Sequence, residues 1–179
     1  MSALILTAAA QSKPDSVTFF LHKFEQHIGK ETYTVTKTAN DIIYSINFKF
    51  TDRGSPVPLK AELKLTNTYE PLSLKIKGST SRSSTINDTI GISGTLARIK
   101  VNDSSYQQQL TTLAFPVASY APGTVQQLLL QYWKNHHEPA SINTLPFGSV
   151  QITHSGQDNI NFNGKTLNLD RYTIGGLIW

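Results

Sequence analysis

Five histidines, twelve carboxylates and many serines are the residues through which this 179-residue chain could do chemistry. The histidines are His22, His27, His136, His137 and His154. They show no H-x-H or H-E-x-x-H spacing, the patterns that aim two imidazoles at one ion. His136 and His137 are neighbours, and adjacent side chains on a helix diverge by about 100 degrees. They read as cations at a helix end, where the dipole favours them. His22 and His154 fall in strand-like segments, where an isolated imidazole packs and hydrogen-bonds. No serine stands in a G-x-S-x-G elbow or an S-x-x-K motif. No glycine-rich phosphate loop follows a strand. Asp158, Asp170, Asp52 and Glu62 are the carboxylates that could meet across strands as acid and base. Asp52-Arg53 and Asp170-Arg171 read more simply as turn bonds and surface ion pairs. No catalytic residue, metal ligand or cofactor is therefore assigned.

Composition narrows the partners. The net charge is +4 and only 16% of the residues are charged, with Ser, Thr, Asn and Gln in their place. That balance suits a β-sheet with a neutral polar outer face. The lysines are spread along strand-like segments, without the basic, aromatic-interleaved stripe of a nucleic-acid reader, so no nucleic-acid partner is expected. There is no cysteine, which excludes disulfides, thiolate metal sites and a Cys nucleophile. No run approaches the roughly 18 apolar residues of a membrane-spanning helix. Leu4-Ile5-Leu6 leads into Ala8-Ala9-Ala10-Gln11, which reads as the tail of a secretory signal peptide cleaved after Ala10. Residues 1–16 are accordingly taken as signal remnant and leader, and the protein as periplasmic or secreted.

The elements that must position these residues are mostly strands. Tyr44, Ile46, Phe48 and Phe50 alternate with polar residues, as do Leu59, Ala61, Leu63 and Leu65, and then Leu72, Leu74 and Ile76. Alternate side chains of a strand face opposite ways, so each segment has one buried and one wet face. Predicted turns lie at His27-Ile28-Gly29-Lys30, Asn40-Asp41, Arg53-Gly54-Ser55-Pro56, Glu70-Pro71 and Asn163-Gly164. Short strands are expected at 84–90, 94–101 and 105–111, and later ones at 149–155, 159–162 and 165–174. One segment changes period. Val125, Leu128, Leu129, Tyr132 and Trp133 draw a helical stripe, Thr124 and Gln127 suggest a capping box, and Pro139 ends the element. The helix is predicted over Thr124–His137. The expected fold is mainly β: a large, curved, half-barrel-like antiparallel meander over residues 17–179, wrapped around one α-helix. The apolar run Tyr172–Trp179 reads as a strand leading into further protein.

Short blocks spaced along the chain carry a resemblance. They are Phe20 through Tyr33 with the Gly29-Lys30-Glu31-Thr32 hairpin, Phe50-Thr51-Asp52-Arg53-Gly54, Ile76 through Arg82, Tyr120-Ala121-Pro122, Tyr132-Trp133, Gly156-Gln157-Asp158, Leu169-Asp170-Arg171-Tyr172 and Gly175 through Trp179. In this order they resemble the N-terminal β domain of secreted bacterial amidohydrolase-like proteins. More loosely, they are similar to periplasmic half-barrel domains. The resemblance implies a non-catalytic domain whose intramolecular partner, a downstream (β/α) barrel, holds the metal ligands. The alternative is an independent binding module for an apolar or lipid-like small molecule, with Trp133, Tyr132 and Phe48 lining its cavity.

Overall fold

The computed structural model describes residues 15–23 and 26–175. The signal-peptide reading of residues 1–16 and the final apolar residues 176–179 thus lie almost wholly outside the described residues. Eight strands follow one another as an antiparallel meander: β1 (Asp15–Lys23), β2 (Gln26–Lys37), β3 (Asp41–Asp52), β4 (Ser55–Thr66), β5 (Pro71–Ser79), β6 (Thr85–Ser93), β7 (Leu96–Val101) and β8 (Ser104–Gln109). A short β9 (Ala114–Pro116) leads to helix α1 (Gly123–Asn135). Then come β10 (Ile142–Leu145), β11 (Ser149–Phe162) and β12 (Lys165–Gly175), which form a second sheet in the order β12-β11-β10-β9. The chain thus adopts the expected fold, a mainly β meander curved around a single helix among the described residues.

Alternation explains the large sheet. Leu59, Leu63, Leu74, Ile76 and Ile90 are almost fully buried on its concave side. They join Val125, Leu128, Leu129, Tyr132 and Trp133 of α1 in one hydrophobic cluster. Burying each such aliphatic side chain is worth about 1.5–3 kcal/mol, so the helix is held chiefly by its apolar stripe.

Three expectations are corrected. His27–Lys30 is not a turn but part of β2, which pairs antiparallel with β1 and sets Gln26 opposite Lys23. Gly29 faces Phe50 in register, and a Cβ there would collide with the Lys49 carbonyl and the Phe50 backbone. The glycine thus serves a close approach of backbones, not a turn. Gly78 does the same against Pro58 and Leu59. Residues 149–155 and 159–162 are one strand, β11, interrupted by a bulge between His154 and Gly156. Finally, β9 and β10 pair in parallel; both are short, and the three β9 residues are all buried, so no alternation announces them.

The helix also departs from its prediction at both ends. Its N-cap position is Pro122, with no side-chain cap. The capping role falls to Glu31 of β2, on the concave side. Its carboxylate accepts the backbone N–H of Gly123 at 2.8 Å, the N–H of Thr124 at 2.7 Å and the Thr124 hydroxyl. A negative charge at a helix N-terminus is favourable both to the orphan N–H groups and to the dipole. Asp88 of β6 does a parallel job just upstream, accepting the Ser119 N–H at 3.1 Å and its hydroxyl at 2.8 Å. Its other oxygen accepts the Asn102 N–H at 3.2 Å. Both carboxylates are 1% exposed. At its far end the helix stops at Asn135, because His137 and Glu138 take left-handed backbone conformations.

Removing the Glu31 carboxylate strands three donors in the core. Glu31→Ala is expected to cost about 3 kcal/mol in urea unfolding. Glu62→Gln on the outer face should change stability by no more than about 0.5 kcal/mol. Equal, small effects would show that the cap does not hold the helix.

Candidate functional site

The three residues expected to line one cavity are placed apart. Phe48 is buried under Phe50 and Tyr120, with ring centroids 5.5 and 5.6 Å away. Trp133 packs edge-on against Tyr172 of β12 and donates its indole N–H to the Pro139 carbonyl at 2.8 Å. Tyr132 alone lines a cleft. This cleft, about 560 Å³, runs between the start of β5, the end of β6 and the β8–β9 connection, and its apolar walls include Leu72, Ile92, Leu110, Leu113 and Ala114.

A small polar cluster sits at that cleft. Glu70 forms part of the wall, and its carboxylate lies 3.2 Å from His136 Nε2. The His136 ring stacks on Tyr132 at 4.1 Å, and its Nδ1 lies 2.8 Å from the Tyr132 carbonyl. Both ring nitrogens thus face oxygen atoms, of the Glu70 carboxylate and the Tyr132 carbonyl. Burial, then the nearby Glu70, pushes the Tyr132 hydroxyl up to about 12, opposed by a hydrogen bond with the Ala114 backbone. The result is an apolar trough with one polar end. His136 was legible only as a helix-end cation; its partner Glu70 lies 66 positions away in sequence and comes near only through the fold.

The carboxylates named as possible acid and base do not converge. Asp52 accepts the Arg82 N–H, and Glu62 lies 3.7 Å from Lys75. Asp158 pairs with Arg171 at 3.1 Å. Asp170 takes a hydrogen bond from Gln157 at 2.9 Å and faces His154 at 3.3 Å; these two contacts hold its carboxyl below the usual range. Asp158 lies opposite Leu169 and Asp170 opposite Gln157, so the two aspartates occupy opposite faces of the ribbon. Among the described residues, no three His, Asp or Glu side chains gather as a metal site would require. No helix among them is long and apolar enough to cross a membrane.

The second feature is the β11–β12 ribbon itself. Near its base, Ile152, Ile174 and Tyr172 face the core. The bulge at Ser155 then inserts one extra residue in β11, which reverses the facing of every later β11 side chain relative to its earlier ones. Beyond it, Ile160 opposes Leu167, Phe162 opposes Lys165, and Leu169 opposes Asp158. These share the side away from the base's core-facing residues. Ile160, Phe162, Leu167 and Leu169 are 42, 60, 40 and 46% exposed. The reverse side carries Gln157, Asn159, Asn161, Thr166 and Asn168. The tip turn is Asn163-Gly164, both with positive φ, the geometry that such a hairpin demands.

Tyrosine ionisation reports on the cleft. Tyr44 is also pushed up to about 12, by burial and by Tyr69 and Tyr33. A raised folded-state value means that stability is intact below about 10 and falls away as pH rises from there to 12. Ultraviolet titration should show Tyr44 and Tyr132 ionising in a late stage that coincides with unfolding. Tyr132→Phe should remove one equivalent from the late stage, and a single step near 10 would contradict the geometry. Comparison of the chain with protein-family models, curated proteins and solved structures finds no match in any of the three.

Proposed function

We propose that this chain is the non-catalytic N-terminal β domain of an exported, metal-dependent amidohydrolase-like protein, and that it supports or shapes access to a catalytic barrel. The single observation that carries the reading is the apolar side of the β11–β12 ribbon beyond its bulge. A two-stranded ribbon is marginal alone in water. Here four large apolar side chains are held on the side that does not face this domain's own core. Such a surface calls for a second body, and the ordered blocks that resemble the amidohydrolase-associated domain supply its kind. On this reading the metal and its ligands belong to the barrel, and Asp158–Arg171 forms the polar rim of the contact.

The coding sequence beyond residue 179 tests this directly. An H-x-H motif followed by further His and Asp ligands is expected there, and Ile160→Glu with Leu167→Glu should then expose the junction to protease in the full protein. A stop codon after Trp179 would overturn the reading.

The cleft favours a second reading, a periplasmic module binding an apolar or lipid-like molecule beside Tyr132. Organic extraction of the purified protein with mass spectrometry should then release such a molecule, and Leu113→Trp should abolish its retention. An empty extract, together with no uptake of a fluorescent fatty acid, would count against it.

A further inference from the structure

The lysines that looked scattered along the chain are gathered by the fold onto the convex face of the large sheet. Lys30 lies directly opposite Lys49 across β2 and β3. Lys60 lies directly opposite Lys77 across β4 and β5. Lys60 also follows Pro58, the partner of Lys49, by two positions, so the two pairs adjoin diagonally. Lys100 and Arg98 of β7 extend the band. All six side chains are exposed, and none makes an ion pair among the described residues. The acids on this face, Asp41 and Glu62, are already engaged by Lys64 and Lys75.

Like charges directly opposite each other weaken a sheet. Two such pairs side by side therefore carry an electrostatic cost that a polyanion would relieve. What stands between the lysines narrows the polyanion. Thr32 and Asn47 are paired across β2 and β3, Ser45 faces Glu62, and Asn87 faces Lys77. These hydroxyl and amide groups suit sugar hydroxyls. At one end of the row Phe20, opposite Lys30 and 65% exposed, offers a flat apolar plate. It borders a cleft of about 770 Å³ that is also lined by His27, Lys30, Lys49 and Arg53. A single aromatic at one end is not the series of stacking platforms that single-stranded nucleic acid uses. A convex face with no apolar stripe is also not one that lies in a bilayer surface.

We propose that the convex face of the β1–β8 sheet binds an acidic polysaccharide, with carboxylates along the glycan resting on Lys30, Lys49, Lys60 and Lys77 and one sugar ring against Phe20. A uronic-acid polymer carries one carboxylate per sugar, so its charges recur on the scale of the lysine spacings, about 4.8 Å between the strands of each pair and about 7–8 Å on the diagonal that joins the pairs. The ammonium groups act as point charges on flexible stems, which tolerate such a repeat without a fixed bidentate geometry.

Affinity electrophoresis in polygalacturonate gels tests this, with neutral dextran, duplex DNA and anionic phospholipid vesicles as the other arms. The wild-type protein should be retarded by polygalacturonate and not by dextran, and retardation should weaken with salt. Lys60→Gln with Lys77→Gln should lower affinity about tenfold while leaving the thermal midpoint unchanged or raised. Phe20→Ala should lower glycan affinity several-fold without altering any DNA binding. Lys165→Gln on the ribbon should change nothing. No retardation by polygalacturonate, or equal binding to DNA or vesicles that Phe20→Ala does not separate, would overturn the proposal.

Discussion

The buried part of the sheet's concave surface carries two charged side chains, Glu31 and Asp88, and the arrangement of the molecule follows from how they are satisfied. An ionised carboxylate in a core is tolerable only when its oxygens are taken up by donors. Glu31 and Asp88 enter from β2 and β6, separated by three strands, and both find their inner-face donors in one short stretch, Ser119 to Thr124. That stretch is the lead-in to α1. Hydrophobic burial alone would allow the helix to slide or rotate on a smooth apolar trough, because it is non-directional. The two carboxylates supply direction. They fix where the helix begins, and so which of its residues meet the sheet.

This arrangement determines which surfaces remain for function. The inner face is filled by the protein's own helix, so Phe48 and Trp133 serve packing. The binding capacity left over lies at the seams and on the outside. One seam is the trough beside Tyr132, where the His136–Glu70 contact joins the helix end to the β4–β5 turn. Outside there are two surfaces of opposite character: the apolar side of the β11–β12 ribbon and the cationic convex face. They lie on different sheets and call for different partners, so an accessory role towards a neighbouring domain and retention of an acidic glycan are compatible in one molecule.

Much of this architecture was legible in the residues. Period-two alternation located β3, β4 and β5, because each has one wet and one dry face. The Val125–Trp133 stripe located the helix, and Asn163-Gly164 located the ribbon's tip. Where the reading failed, a local signal had a non-local cause. Gly29 has the look of a turn residue, but it is glycine because β3 passes too close for a side chain. Gly156 seemed to end a strand, whereas it follows a bulge that shifts which β11 residues face each side of the ribbon. The cap of α1 was sought three residues ahead, in Gln127, and came from 92 residues behind, in Glu31. A trace of it was present, since Asp88 stands at the buried parity between Ile86 and Ile90. A charge at an apolar position asks what will satisfy it. The cationic face had no such trace, because pairing Lys30 with Lys49 and Lys60 with Lys77 depends on strand register.

Native-state hydrogen exchange at the amides of Ser119, Gly123 and Thr124 tests the central claim most directly. If the carboxylates pin the helix, these amides exchange only through global unfolding, with the same free energy as the middle of β3 to β6. Exchange at those three positions that is orders of magnitude faster, while the central strands stay protected, would mean that the helix rests loosely on a sheet that folds without it.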